Sequence, residues 1–372
     1  MTEQAASIRT PPPAKVVGGG HRTAARVNDL AWVGSMAVAT TDLAVGVHGA
    51  LAAMDEALGT VGARVDDLVR IGAYYDMRHD GAAVREAIRG SLPGSVRPVI
   101  TLLGVRDPAL PGAAVVLDAT AAIGPRATVG GGPFPAAVRV GDRIWVGGVT
   151  GDGGGVLEQT RSVIATLGSI ANEAGAELDD CVKMNISYIG DGTEGDWEPT
   201  AKLRGAAFSE PAAAATGIPY PDLGGALTQF ETVSIAGSTR TRRHGWPEGH
   251  WDWPIHLPWK HACRAGDLVT IGGQVSLRGR GEVLDAGDLD RQTETALRNI
   301  DRALATVDAE MSDVTQITAF FEGSPADLET VLRRTRTAFG DQPPPIVPVP
   351  LPFLAYRKMV VEIEAIAVVR RT

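Results

Sequence analysis

Apolar and polar positions along the chain fall into a pattern that recurs three times. Each recurrence opens with a short apolar run ending in small residues, at 30–35, 144–148 and 268–273. An Asp stands just before each run (Asp29, Asp142, Asp267), and each recurrence closes on an apolar run that carries an acid (Asp118, Glu231, Glu364). The 113 residues that separate Asp29 from Asp142 also separate Asp118 from Glu231, so the first two copies align without a net gap. The third copy is offset from the second by 125 residues at its front and by 133 at its closing acid. Repeats of this length are domain-sized rather than solenoid-sized.

Within the second copy, Ala137–Val140 and 143–146 read as strands joined by the turn signal Gly141-Asp142. Residues 156–174 place Val163, Leu167, Ile170 and Ala174 at helical spacing, with Gly175 as a stop. The third copy repeats the stripe with Leu297, Ile300, Leu304 and Val307, and the first has Leu51, Met54, Leu58 and Val61. A strand follows each helix, at 69–75, 182–188 and 314–321, then a second helix such as 327–339, then two closing strands. The order β-β-α-β-α-β-β predicts an α+β fold with helices on one face of each sheet. The other face is also apolar and needs a cover, which three sheets around a common axis would supply. The expected architecture is three tandem domains, 14–125, 126–239 and 254–372, with a linker at 240–253. They would form a single-chain pseudo-trimer with a central β-barrel and outer helices.

Composition narrows the function classes. A chain of 372 residues with 44% hydrophobic content can bury three cores of ordinary size. A net charge of −9 argues against general nucleic-acid or anionic-membrane binding. No run is apolar and long enough to span a membrane, and 1–13 reads as a polar, Pro-containing tail without a signal core. The two cysteines, Cys181 and Cys263, occupy unmatched positions, so no disulfide framework is expected and the cytoplasm is the default compartment.

These residues resemble the Rid family, the RidA/YjgF reactive intermediate deaminases once labelled endoribonucleases. The third copy carries the resemblance best, in Leu257-Pro258-Trp259, with Trp259 fourteen residues ahead of Gly273, and in the ending Val361-Glu-Ile-Glu-Ala-Ile-Ala367. The resemblance implies trimers with clefts between neighbouring subunits. It also implies hydrolysis of 2-imino or enamino acids to 2-keto acids and ammonia, with no cofactor and no metal. The family's carboxylate clamp falls on Arg97, whose register mates are Glu210 and Pro343; a guanidinium pairs with a carboxylate bidentately, which neither mate can do. The family's water-activating acid falls on Val116, Gln229 and Glu362, so only Glu362 keeps the carboxylate. Its pocket aromatic falls on His21, Phe134 and Trp259, and the strand-end small residues are Ser35, Gly148 and Gly273. The catalytic set expected is Arg97, Glu362 and Ser35, with His21, Tyr74, Tyr75, Phe134, Gly148, Trp259 and Gly273 as substrate contacts. Glu362 and Glu364 also fit the alternating faces of an edge strand, and the glycines fit tight packing near a threefold.

Residues 244–261 hold four of the seven Trp and four of the seven His. His250, Asp252 and His256 match no standard zinc spacing, and a linker or lid that covers a cleft is the stronger expectation. The leading functional expectation is an enzyme that hydrolyses an imine, an enamine or a related small conjugated carboxylate in an interdomain cleft. The molecule would be monomeric, with further dimerisation open. A non-catalytic carboxylate-binding or scaffold protein is the alternative, since two of three clamps and two of three acids are lost. Cyanuric acid hydrolases and barbiturases resemble three such domains in one chain, but they need a matched Ser and Lys in each. Lys15, Lys183, Lys202, Lys260 and Lys358 share no register; Lys183 aligns with Arg70 and Gln316. An RNA-cleaving role is disfavoured by the acidic charge.

Overall fold

The computed structural model describes residues 14–370 except 133, 192 and 194, so the 1–13 tail lies outside the described residues. The first sheet contains Lys15–Val16 (β1), Ala24–Val27 (β2), Leu30–Ala37 (β3), Leu68–Asp76 (β4), Val99–Val105 (β5) and Val115–Ala122 (β6). The second contains Arg126–Val129 (β7), Ala137–Val140 (β8), Arg143–Thr150 (β9), Cys181–Ile189 (β10), Ala214–Tyr220 (β11) and Thr228–Ile235 (β12). The third contains Arg243–Gly245 (β13), Ala262–Ala265 (β14), Leu268–Gln274 (β15), Val314–Glu322 (β18), Ile346–Leu351 (β19) and Val361–Val368 (β20). Leu277–Arg278 (β16) and Glu282–Val283 (β17) form a separate hairpin. The strand orders β2-β3-β6-β4-β5, β8-β9-β12-β10-β11 and β14-β15-β20-β18-β19 place equivalent strands in equivalent positions. In each sheet the last pair listed is parallel and its neighbours antiparallel.

Local chemistry repeats as well. The turn between β8 and β9 is two residues long, with Gly141 at φ +63°, the left-handed conformation that a tight hairpin requires. Before β4, β10 and β18 one Asp caps the same short turn: Asp67, Asp180 and Asp313 accept from the backbone N–H of Arg64, Glu177 and Glu310 at 2.9–3.0 Å. Each sheet is covered by two helices, Leu43–Thr60 (α1) with Gly81–Ser91 (α2), Val156–Glu173 (α3) with Glu198–Gly205 (α4), and Leu289–Ala305 (α5) with Leu328–Phe339 (α6). The expected stripes are buried throughout except at Val61, which is half-buried. Truncating a stripe residue such as Leu167 or Ile300 to Ala would cost about 2–5 kcal/mol.

The strands hydrogen-bond into three separate open sheets, which corrects the expectation of a closed central barrel. Where sheets meet, they pack backbone on backbone at the small residues instead of continuing a ladder. A Cβ built on Gly34 would lie 3.1 Å from the Ile346 carbonyl oxygen, one on Gly147 2.8 Å from that of Ile100, and one on Gly272 2.6 Å from that of Ala215. The first sheet thus sits on the third, the second on the first, and the third on the second. At the strand starts, Arg143 reaches across to Asp29 (2.7 Å) and Asp267 (3.0 Å), tying all three copies together.

Candidate active site between the second and third sheets

β20 lies between β15 and β18, so Glu362 and Glu364 occupy a central strand and not the edge strand that the sequence also allowed. Alternation sends the two side chains to opposite faces. Glu364 turns inward to Lys183 (2.7 Å) and Asn185 (3.1 Å). Glu362 faces a cavity with about 630 Å³ of empty space between the second and third sheets. Gly273 makes this position possible, because a Cβ there would overlap the Glu362 carboxyl group. Burial pushes the Glu362 carboxyl up to about 8; Glu364 adds to the rise and Lys183 opposes it. At neutral pH Glu362 therefore holds a proton that it can donate.

The second group in the cavity is one the sequence reading missed. Arg204, on α4, lines the same cavity, is 5% exposed and has no carboxylate partner among the described residues. Its guanidinium donates to Thr200 Oγ1 at 3.2 Å and lies 5.7 Å from the Phe230 ring centre, while its Nε is unpaired. Burial lowers it to about 10, still fully charged at neutral pH. The signal was present in the sequence: Trp197, Ala201, Arg204 and Phe208 form a helical stripe with one cation in it, and all four are buried. Register had pointed to Glu210 instead, which lies outside the cavity and binds His256 (2.9 Å) and Lys260 (2.8 Å).

Aromatic rings close the cavity. Tyr188 and Trp197 come from the second sheet and its helix, Trp259 and Tyr356 from the third copy, and Trp251 and Trp253 from the Trp- and His-rich segment. That segment is held by His261, whose Nε2 lies 3.1 Å from the Trp251 carbonyl oxygen, and by Gln274, which bridges His261 (3.3 Å) and His250 (2.9 Å). Trp253 stacks on His261 with ring centres 5.2 Å apart. Burial drops His261 to about 3, so it stays neutral and holds its place without a charge. His250, Asp252 and His256 bond to Gln274, Arg280 and Glu210 respectively, so they do not converge on a common point.

Most of the unsatisfied groups in the cavity are donors. Among the described residues, Tyr188 OH, Trp197 Nε1, Arg204 Nε, Trp251 Nε1 and Trp259 Nε1 are buried without a hydrogen-bond partner. Four of the five can only donate. A buried donor left unpaired costs about 1–3 kcal/mol, and more when charged, so the cavity fits an acceptor-rich anion.

The other expected site residues fall elsewhere. Arg97 donates to the Gly132 carbonyl in a shallow hollow beside Phe134, between the first and second sheets. His21 Nε2 lies 2.7 Å from Thr335 Oγ1, joining the first copy to α6, and burial lowers it to about 4. Ser35 is fully buried with its hydroxyl unpaired. Tyr74 lines a cavity at the junction of the three sheets, and Tyr75 packs into the first core with its hydroxyl beside Gly81 and Gly104. Gly148 sits under Gln229 as Gly273 sits under Glu362. Of the residues singled out, the structure brings together Glu362, Trp259 and Gly273, all from the third copy.

Comparison with known proteins bears on that copy. Residues 254–369 match the family model described as Endoribonuclease L-PSP. No curated protein matches the chain. Among solved structures, a chorismatase aligns over 81% of this chain and 93% of its own, with a TM-score of 0.58 at 14% identity. A YjgF/YER057c/UK114 family member from Mycobacterium tuberculosis is 29% identical over 30% of this chain and 86% of its own (TM-score 0.26). E. coli TdcF, solved with bound serine, is 22% identical over 35% and 99% (TM-score 0.30). The chain is thus similar in fold to a chorismatase over most of its length, and residues 254–369, which carry Trp259, Gly273 and Glu362, match the Endoribonuclease L-PSP family model, that of the RidA/YjgF group that the sequence resembles.

Proposed function

We propose that the protein is a hydrolase of a small conjugated carboxylate, a 2-imino or enamino acid in the first reading, with its reaction in the Glu362–Arg204 cavity. The observation that carries this is the pairing of a protonated buried carboxyl with a buried guanidinium that has no carboxylate partner among the described residues, set among orphaned donors. Arg204 takes the substrate carboxylate and loses the penalty of an uncompensated buried charge. Glu362 gives its proton to the β-carbon of an enamine, leaving an iminium ion. Water adds to the iminium carbon, the Glu362 carboxylate takes a proton from that water, and the carbinolamine releases ammonia and a 2-keto acid. The aromatic walls exclude bulk water and strengthen both charges.

A second reading rests on those same walls. Six aromatic residues around one cavity suit a ring-bearing substrate, and the fold is similar to that of an enzyme named for chorismate, a cyclic dicarboxylate with an enol ether. Protonation of the enol-ether carbon by Glu362 followed by addition of water is the same chemistry with an oxygen leaving group. We also propose the organisation behind this site: domains at 14–125, 126–239 and 254–372 with a linker at 240–253, in a monomeric single-chain pseudo-trimer, further dimerisation open, located in the cytoplasm.

The test is ammonia release from 2-imino acids generated in situ by an amino acid oxidase, beside enol-ether hydrolysis of chorismate. The wild type is compared with Glu362→Gln, Arg204→Met and Arg97→Ala. Turnover of either class lost in the first two variants and kept in the third supports the site. Turnover that survives Glu362→Gln but not Arg97→Ala would move the chemistry to the first copy and refute it.

A further inference from the structure

A separate cavity, with about 700 Å³ of empty space, lies where all three sheets meet. Leu30, Trp32, Trp145 and Leu268 give it an apolar lining; Arg70, Asp118, Lys183, Glu231 and Glu364 give it an ionic one. The three acids are register mates, one from each copy. Arg70 pairs with both Asp118 and Glu231 (2.5 Å to the latter), and Lys183 pairs with Glu364 (2.7 Å). In the third copy the cation position is taken by Gln316, which instead donates to the Val33 carbonyl at 3.0 Å. Three acids therefore face two cations, and burial raises the Asp118 carboxyl while Arg70 opposes the rise.

The unpaired groups point the same way. Asp118 is 1% exposed, and among the described residues its Oδ1 has no partner, nor does Asn185 Oδ1. The cavity continues into a smaller space that shares Arg70, Tyr74, Asn185 and Glu231, where the Oε1 of Gln229, 7% exposed, is also unpartnered. Asp118 Oδ1, Asn185 Oδ1 and Gln229 Oε1 are acceptors, the reverse of most orphans in the Glu362 cleft, and the unpaired Thr101 and Tyr220 hydroxyls of the smaller space can accept as well as donate. Among the described residues no group of three or more His, Cys, Asp and Glu suits a metal ion.

We propose that this junction cavity binds a small ammonium-type cation, ammonium itself or a primary alkylammonium. Its N–H groups meet the free oxygens of Asp118 and Asn185, and any alkyl part lies against Trp32 and Trp145. One bound cation restores the charge that Gln316 fails to supply. The site stands independently of the reaction in the Glu362 cleft.

The experiment is thermal unfolding in ammonium, ethylammonium, tetramethylammonium and sodium chlorides at equal ionic strength. It is run on the wild type, Asp118→Asn, Gln229→Leu and Glu362→Gln. Ammonium and ethylammonium should raise Tm by several degrees over sodium in the wild type and in Glu362→Gln. Tetramethylammonium, which has no N–H, should match sodium. Asp118→Asn should abolish the effect; if that variant does not fold, Gln229→Leu should weaken it. Equal shifts in all four salts, a full effect in both cavity variants, or loss of the effect in Glu362→Gln would each overturn the proposal.

Discussion

Replacing Glu362 with Gln should make the protein more stable and inactive, and the gain should depend on pH in a way that only a raised carboxyl produces. Burial lifts the folded-state value to about 8 from the ordinary 4.5. Below pH about 4 the folded and unfolded chains both hold the proton, and the carboxyl makes no pH-dependent difference. Between about 4.5 and 8 the unfolded chain has lost its proton while the folded chain keeps it, so stability falls as pH rises. At 1.36 kcal/mol per pH unit, this loss is about 3 kcal/mol at pH 7 and about 5 kcal/mol once pH exceeds 8. Glutamine keeps the shape and cannot ionise, so the variant lacks this loss. Denaturant or thermal unfolding of both proteins from pH 4 to pH 9 measures the gap. It should widen steadily through the window and then level off. Two parallel stability curves, with the same pH slope in both proteins, would refute a protonated Glu362. Turnover should fall by about 10²–10⁴ in the variant, as for loss of a general acid, and wild-type turnover should decline above pH 8.

Arg204→Met should raise KM about a hundredfold at little or no cost in stability, since it removes an unpaired buried charge; a clear destabilisation would show that Arg204 is structural. Gly273→Ala should displace the Glu362 carboxyl and cut turnover by about 10², measured by steady-state kinetics beside circular dichroism to confirm the fold. Arg143→Ala removes the guanidinium shared by Asp29 and the buried Asp267 and should destabilise by about 3 kcal/mol in denaturant unfolding. Arg97→Ala should leave kcat and KM unchanged, because its side chain lies in a hollow away from Glu362.

The fold was legible because one pattern, written three times, exposes its own register. Strand and helix positions in one copy check those in the others, and the caps at Asp67, Asp180 and Asp313 repeat to the residue. The acid of the proposed site stands out in the sequence for the same reason, since Glu362 is the one carboxylate among three equivalent positions. The cation does not, because comparison by register presumes that the copies divide the work alike. Arg204 has a serine, Ser91, at the matching position of the first copy, and it reveals itself only as a charge inside an apolar helical stripe. The closing acids Asp118, Glu231 and Glu364 were equally visible, but alternation along a strand does not say which face is inside. Only the meeting of three sheets turned that face into a charged interior.

The backbone contacts that seat each sheet on its neighbour lie within one polypeptide, so they form at a local concentration that dilution cannot lower. Three identical subunits would receive every substitution in triplicate, and a change that improved one cleft would be forced on the other two. Here each change falls once. A tryptophan strap can be inserted ahead of one sheet only, a carboxylate can be kept at one position out of three, and a cation can be dropped from one copy. Covalent continuity thus separates the evolutionary fate of surfaces that symmetry would otherwise hold equal.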